Sequence, residues 1–115
     1  MGHSTGEPMN LKEMAQKLEM EEGEFLDMLK LFLETSTSDL SHLRLAQEKR
    51  DATEAVKAAH SIKGAASNLG LMEIFQLAKS IETEARESHL DRTHPWILIL
   101  GEKLNRMAKE IKQKG

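Results

Sequence analysis

The spacing of the apolar residues limits most strongly how this chain can fold, because they recur at alternating steps of three and four. Such a period places one apolar stripe along the face of an α-helix. Four long segments carry a stripe: Phe25, Leu29, Phe32, Ser36, Leu40 and Leu43; Ala55, Ala59, Ile62, Ala66 and Leu69; Leu71, Ile74, Ala78, Ile81 and Ala85; and Ile97, Leu100, Leu104, Met107 or Ala108, and Ile111. Since short links join the segments, the sequence predicts an all-α fold, an antiparallel up-down-up-down four-helix bundle.

Local signals indicate where these helices end and add a shorter one. Residues 10–19 are predicted to form a short N-terminal accessory helix with Asn10 as its cap. The first long helix should reach about Lys49, although the polar run 35–39 predicts either a bend or a break after which Ser38 caps a new helix. Gly70 is well placed to stop the helix of the second stripe in a left-handed cap.

The size and composition of the chain indicate one domain and narrow its chemistry. We expect residues 1–9 to form a flexible tail that resembles an artificial extension, and residues 10–115 to form the domain. The lack of cysteine excludes disulfides, thiolate metal sites and a cysteine nucleophile, and fits a reducing, cytoplasmic setting. With a net charge of −3, the chain has no excess of positive charge that would attract nucleic acid or an anionic membrane surface. No apolar run approaches the roughly 18 residues of a membrane span.

A histidine on the outer face of the second long helix is the first residue that points to a function. At about 100° per residue, His60 lies near 140° from the centre of the apolar stripe, which predicts that it faces solvent. A lone helical histidine is more often a partly buried core residue, but the periodicity argues against that alternative. Gly64 lies one turn later, near 180°, where glycine costs about 1 kcal/mol relative to alanine. A glycine at this position clears space for another molecule to approach His60. The alternative explanation for Gly64 is that it relieves a tight helix crossing.

Two lysines lie close enough along this helix to meet a group carried by His60. Lys63 follows it by three residues and Lys57 precedes it by three, although each is also interpretable as an ordinary solvated lysine. A neutral imidazole is a good nitrogen nucleophile near neutral pH. A phosphoryl group on the ring would add nearly two negative charges, which Lys63 could screen.

Other chemistries find less support in the sequence. The chain lacks a glycine-rich phosphate loop and a carboxylate constellation for magnesium. Ser67 shares the face of His60 about two turns away, but no acidic residue is expected to orient His60, so a serine hydrolase is disfavoured. His89 and His94 lie five apart across a loop without a third ligand, so we expect no metal site and no cofactor. The remaining hypothesis is a phosphate acceptor whose partners supply the catalysis.

Residues 60–70, which read HSIKGAASNLG, resemble the His-x-x-Lys-Gly…Gly signature of histidine-containing phosphotransfer (HPt) domains. The similarity extends from residues 25–32 to residues 77–82. The resemblance implies a four-helix bundle with a short leading helix, in agreement with the stripes. Two departures are mild, since Ser67 stands where many members have a small residue or glycine, and Ile62 where leucine is common.

The resemblance also assigns roles. It implies that His60 is phosphorylated, that Lys63 stabilises the phosphohistidine, that Gly64 leaves room for a docking response regulator, and that Gly70 is the turn glycine. Val56, near 100° on the same helix, is predicted to be an exposed hydrophobe of the docking patch or, equally, a flanking core residue. Residues of the preceding long helix should complete this patch.

These observations predict a carrier in a two-component phosphorelay that is not itself an enzyme. His60 would exchange a phosphoryl group between a histidine kinase, or a receiver aspartate, and a response-regulator receiver domain. We expect a monomer without nucleic-acid or membrane partners. Two alternatives stay open: a phosphoacceptor module of a larger hybrid or chemotaxis-type kinase, and a scaffolding bundle that is not phosphorylated.

Overall fold

The computed structural model describes residues 9–114, and these are almost entirely helical. The elements are α1 (Leu11–Lys17), α2 (Glu22–Lys49), α3 (Ala52–Asn68), α4 (Met72–Arg86), a 3₁₀ turn (Leu90–Thr93) and α5 (His94–Lys114). The all-α prediction is confirmed. Of the predicted tail, residues 1–8 lie outside the described residues. Within the described range, no helix is both long enough and apolar enough to cross a membrane.

The four predicted stripes form one core. All of their residues are buried, and Met107 rather than Ala108 is the buried member of the last stripe. Helix α3 packs against α2 and α4, and α5 packs against the same two helices, so the four long helices surround the core. Helix α1 packs against α2 through buried Leu11 and Ala15. Burial of a Leu, Ile or Phe side chain contributes roughly 1.5–3 kcal/mol, so the stripes dominate the stability of the bundle.

Side chains and one glycine define the helix ends that position the site. The Oδ1 atoms of Asn10 and Asp51 accept hydrogen bonds from the backbone N–H groups of Glu13 (3.0 Å) and Glu54 (3.1 Å), and so cap α1 and α3. Gly70 has a φ of +72°, the left-handed conformation in which the chain leaves α3 and turns into α4. Helix α1 is shorter than predicted, Leu11–Lys17 rather than residues 10–19.

Helix α2 continues without a break through residues 35–39, so the alternative of a new helix capped by Ser38 is wrong. The hydroxyl of Thr35, at the start of this run, bonds to helix carbonyls and so remains compatible with the helix. Thr35 Oγ1 donates to the carbonyls of Leu31 and Phe32, both at 3.2 Å. Ser36 belongs to the apolar stripe and packs into the core.

We predict that Ser36→Ala stabilises the protein. Ser36 is fully buried, and within the described residues its Oγ has no hydrogen-bond partner. Removing an unsatisfied buried hydroxyl and gaining helix propensity should together raise the free energy of unfolding by about 1–2 kcal/mol. The measurement is urea unfolding followed by circular dichroism. The control is Ser38→Ala, an exposed site in the same helix that gains only propensity, about 0.5 kcal/mol. Equal gains in the two variants would contradict the prediction.

Candidate functional site

Helix α3 carries His60 on its outer face, where the side chain is 66% exposed. The neighbours Ala59 and Ile62 are fully buried and hold the opposite face of α3 against the core. The imidazole therefore stands on a rigid helix yet remains open to another molecule. The position agrees with the outward direction expected from the periodicity.

A buried glutamate on α4 lies against this exposed ring. Glu82 is only 4% exposed, and its Oε2 lies 3.0 Å from Nδ1 of His60. The expectation that no acidic residue orients His60 is therefore wrong. The periodicity could not reveal this contact because it joins residues 22 positions apart on two helices. Glu82 directly follows the buried stripe residue Ile81 and lies on the flank of α4 that meets α3.

Two cations complete the surroundings of the Glu82 carboxylate. Lys63 Nζ lies 2.8 Å from Oε1, and Arg86 Nη2 lies 2.6 Å from Oε2. Burial on its own raises the pKa of Glu82, but the hydrogen bonds from Lys63, His60 and Arg86, together with the charge of Lys63, outweigh it and hold the pKa below its usual value. Glu82 is consequently ionised at neutral pH.

The ionised carboxylate determines which nitrogen of His60 carries the proton. A carboxylate can only accept hydrogen bonds, so Nδ1 of His60 must donate to Glu82. In the neutral ring the proton then resides on Nδ1, and Nε2 keeps its lone pair. Since the ring is exposed, the arrangement presents Nε2 as a nucleophile to a molecule that approaches from solvent.

The surface beside His60 is open at Gly64, one turn further along α3. A Cβ atom added at Gly64 would meet no heavy atom within 4 Å. Packing against another helix of this chain therefore does not require the glycine, which removes the tight-crossing alternative. The absent side chain leaves a recess in the surface next to the imidazole.

The other residues singled out from the sequence lie on the same helix and, in the described residues, make no hydrogen bond or ion pair with the ring. Lys57 pairs with Glu54 of its own helix at 3.2 Å, and both side chains are exposed. Ser67 is exposed about two turns from His60, roughly 10 Å along the helix axis, which is too far for a hydrogen bond. Val56 is half-buried and packs against the core.

Helix α2 is bonded to α3 next to His60 and carries exposed apolar side chains. Ser61 Oγ donates to Asp39 Oδ2 at 2.6 Å, so the residue that follows His60 is joined to α2. Leu31 and Met28 precede Asp39 by two and three helical turns and are both exposed. They are candidates for the part of the docking patch expected from the preceding helix.

Among the described residues, one group of possible metal ligands lies at the C-terminal end of α4 and just beyond it. Donor atoms of Glu84, Glu87 and His89 lie within 4.8 Å of one another. Arg92 Nη1 already contacts this group, 3.4 Å from Glu84 Oε1 and 3.2 Å from His89 Nδ1. The guanidinium supplies the positive charge that a metal ion would otherwise supply to this group. His94, the other histidine considered in the sequence, is not part of the group.

The lowered pKa of Glu82 predicts a pH-dependent contribution to stability. The charged carboxylate stabilises the fold above its usual pKa, near 4.5, and this stabilisation is lost as the pH falls through the lower value of the folded state. Below about pH 4.5, the free energy of unfolding should therefore fall more steeply with Glu82 than with Glu82→Gln. His60 is kept in both proteins, because its hydrogen bond is one of the causes of the lowered pKa of Glu82. Parallel urea-unfolding profiles between neutral and acid pH would contradict the prediction.

A protein-family model described as Hpt domain matches residues 27–114 of the sequence. This range contains most of α2 and all of α3, α4 and α5. No curated protein and no solved structure matched the chain. The family match includes His60, Lys63, Gly64 and Glu82, and it covers most of the sequence. The chain therefore belongs to the Hpt domain family, the phosphocarrier modules that interact with kinases and response regulators in two-component phosphorelays.

Proposed function

We propose that this protein is a histidine phosphotransfer protein in which Nε2 of His60 accepts and donates a phosphoryl group. The donor would be a histidine kinase or the phosphorylated aspartate of a receiver domain, and the acceptor a response regulator. The observation that carries the proposal is the exposed ring whose Nδ1 is held by the buried carboxylate of Glu82 at 3.0 Å. The family indicates phosphotransfer as the class of function, and this contact supports His60 Nε2 as the reacting atom.

The transfer step needs no proton to leave the attacking nitrogen. The lone pair of Nε2 attacks the phosphorus of an aspartyl phosphate, a P–N bond forms, and the P–O bond to the aspartate breaks as the carboxylate leaves with its electron pair. The ring keeps its proton on Nδ1 and becomes cationic, and the Glu82 carboxylate stabilises that charge. Because a cationic ring is also a good leaving group, the same contact serves the reverse transfer to a receiver.

Lys63 is proposed to act at two points. Its ammonium holds Oε1 of Glu82 at 2.8 Å, which keeps the carboxylate in place beside the ring. It also lies one turn from His60 on the same helix and is partly exposed, so it is available to screen the charge of a phosphohistidine. Lys57, Ser67 and Val56 are proposed to form the rim of the docking surface, with Gly64 as its recess.

The partner domains are proposed to supply the rest of the chemistry. A receiver would provide the acidic pocket and magnesium that stabilise the phosphoryl group in transfer. The chain is then a phosphocarrier rather than an enzyme, and we expect it to act as a cytoplasmic monomer without nucleic-acid or membrane partners. The same chemistry serves a free-standing carrier and a phosphoacceptor module within a kinase.

We further propose that α2 to α5 run up-down-up-down, with α1 as an accessory helix. The two-residue link between α2 and α3 and the three-residue link between α3 and α4 support antiparallel neighbours. The contact of Lys103 on α5 with Glu73 on α4, at 2.7 Å, supports the pairing of the last two helices. This order brings the outer face of α3 between α2 and α4, which both contribute to the proposed site.

His60→Gln should abolish phosphoryl uptake because it removes the nucleophilic nitrogen. The protein is incubated with a radiolabelled phosphorylated receiver, and label that is acid-labile and alkali-stable is followed. The matched control is His42→Gln, which replaces an exposed histidine of α2 and should take up label at the wild-type rate. The proposal fails if wild type takes up no label from a panel of receivers and kinases, or if His60→Gln takes up as much as wild type.

Gly64→Gln should slow transfer by about tenfold or more while the bundle stays folded, since a loss of 1.4 kcal/mol in docking is a factor of ten. The side chain would fill the recess beside His60. Gly64→Ala should raise the free energy of unfolding by about 1 kcal/mol. The control is Gly23→Gln at the start of α2, where an added Cβ also meets nothing within 4 Å. Transfer rates are measured with one receiver under matched conditions, and equal rates in Gly64→Gln and Gly23→Gln would contradict the role of the recess.

A further inference from the structure

The two oxygens of the Glu82 carboxylate are used unequally. Oε1 is held by Lys63 at 2.8 Å. Oε2 is shared by His60 Nδ1 at 3.0 Å and Arg86 Nη2 at 2.6 Å, so the shorter of its two contacts is the one to Arg86. Arg86 lies one turn after Glu82 on α4, and its side chain is 64% exposed.

A buried carboxylate beside a histidine creates a difficulty for a nucleophile. It stabilises the doubly protonated ring, in which Nε2 also carries a proton and has no lone pair to attack phosphorus. A strong, unshared contact with Glu82 would therefore orient His60 but also reduce the fraction of rings that can react. The site needs a contact that orients the ring without keeping it charged.

Arg86 is placed to moderate this contact. A charge-assisted hydrogen bond from its guanidinium draws electron density from the oxygen that His60 uses. Its positive charge also lies within about 6 Å of the ring, where it disfavours a second positive charge. Because Lys63 holds the other oxygen independently, Glu82 should stay in place when Arg86 is replaced.

We propose that Arg86 is a positioning residue for phosphotransfer, which shares Oε2 of Glu82 with His60 and so lowers the fraction of rings in which both nitrogens carry a proton. For its consequence in transfer this inference rests on the proposed function, but its effect on the ring requires no partner. Besides Glu82 and Arg86, the helices at the site carry other charged groups: Lys57, Lys63 and Glu54 of α3, Lys79 of α4, and Asp39 of α2, which bonds to Ser61.

The experiment reads the protonation of His60 directly. Protein labelled with ¹⁵N at histidine is studied at pH 7 by long-range ¹H–¹⁵N correlation, which reports the charged and neutral rings and their tautomers; His60→Gln assigns the signals. Arg86→Gln should raise the ratio of charged to neutral His60 by about three- to fivefold. Arg86→Lys, which keeps the charge, should recover most of the wild-type ratio.

A matched control separates a local effect from a general loss of positive charge. Lys79 is an exposed cation of α4, three residues before Glu82, and in the described residues it makes no contact with the carboxylate. Lys79→Gln should change the ratio less than half as much as Arg86→Gln. In a Glu82→Gln background the effect of Arg86→Gln should become smaller, because the route through Oε2 is gone and only the direct effect of the charge is left.

An unchanged ratio in Arg86→Gln, or one equal to that of Lys79→Gln, would overturn the inference, as would an effect that persists in full without Glu82. Circular dichroism checks that each variant is folded, which the exposure of Arg86 leads us to expect. If wild type fails to accept phosphoryl groups while the ring responds as expected, the proposed function fails and only the effect of Arg86 on the protonation of His60 stands. If transfer occurs but the ring does not respond, the inference on Arg86 alone is rejected.

Discussion

The burial of one negative charge between α3 and α4 is the constraint on which the functional surface depends. An unpaired carboxylate at the depth of Glu82 would be strongly unfavourable, and the fold can keep it charged only because three donors converge on it. Two of those donors, His60 and Lys63, come from α3, and the third, Arg86, comes from α4. The hydrogen bonds that satisfy the carboxylate of Glu82 therefore also orient the ring of His60.

Small side chains on α3 make this convergence possible. The face of α3 that enters the core consists largely of alanines: Ala55, Ala58, Ala59 and Ala66. Such residues allow neighbouring helices to approach closely, since interaxial distance depends on the side chains at the contact. The contact between α3 and α4 is the most extensive of the bundle. A carboxylate as short as that of Glu82 can then reach a ring on the outer face of the neighbouring helix.

Much of the fold, but only part of the site, followed from the sequence. The stripes are local patterns, so they located all four long helices, and the position of His60 opposite the stripe follows from helical geometry alone. The contact with Glu82 could not be obtained in this way, because it depends on the register between two helices, which packing determines. A signal was nevertheless present: Ala78, Ile81, Glu82 and Ala85 have the spacing of one helical face, and an acid within an apolar face calls for a partner. The alternative of a helix break near Ser38 is wrong for a related reason. Tertiary packing of Ser36 overrides the local preference of polar residues for hydrogen bonds that compete with the helix.

Two consecutive residues, His60 and Ser61, bond α3 to the helices on either side of it, and these bonds affect how a partner would dock. His60 bonds to α4 and Ser61 bonds to α2, so a rotation of α3 about its own axis toward either neighbour would break one of the two bonds. The two bonds restrict rotation of α3 about its axis, so the direction of the imidazole is fixed relative to the whole bundle rather than to one side chain. A docking domain would meet an imidazole of fixed orientation. This shortens the search for a productive encounter and lowers the entropy lost when the complex forms.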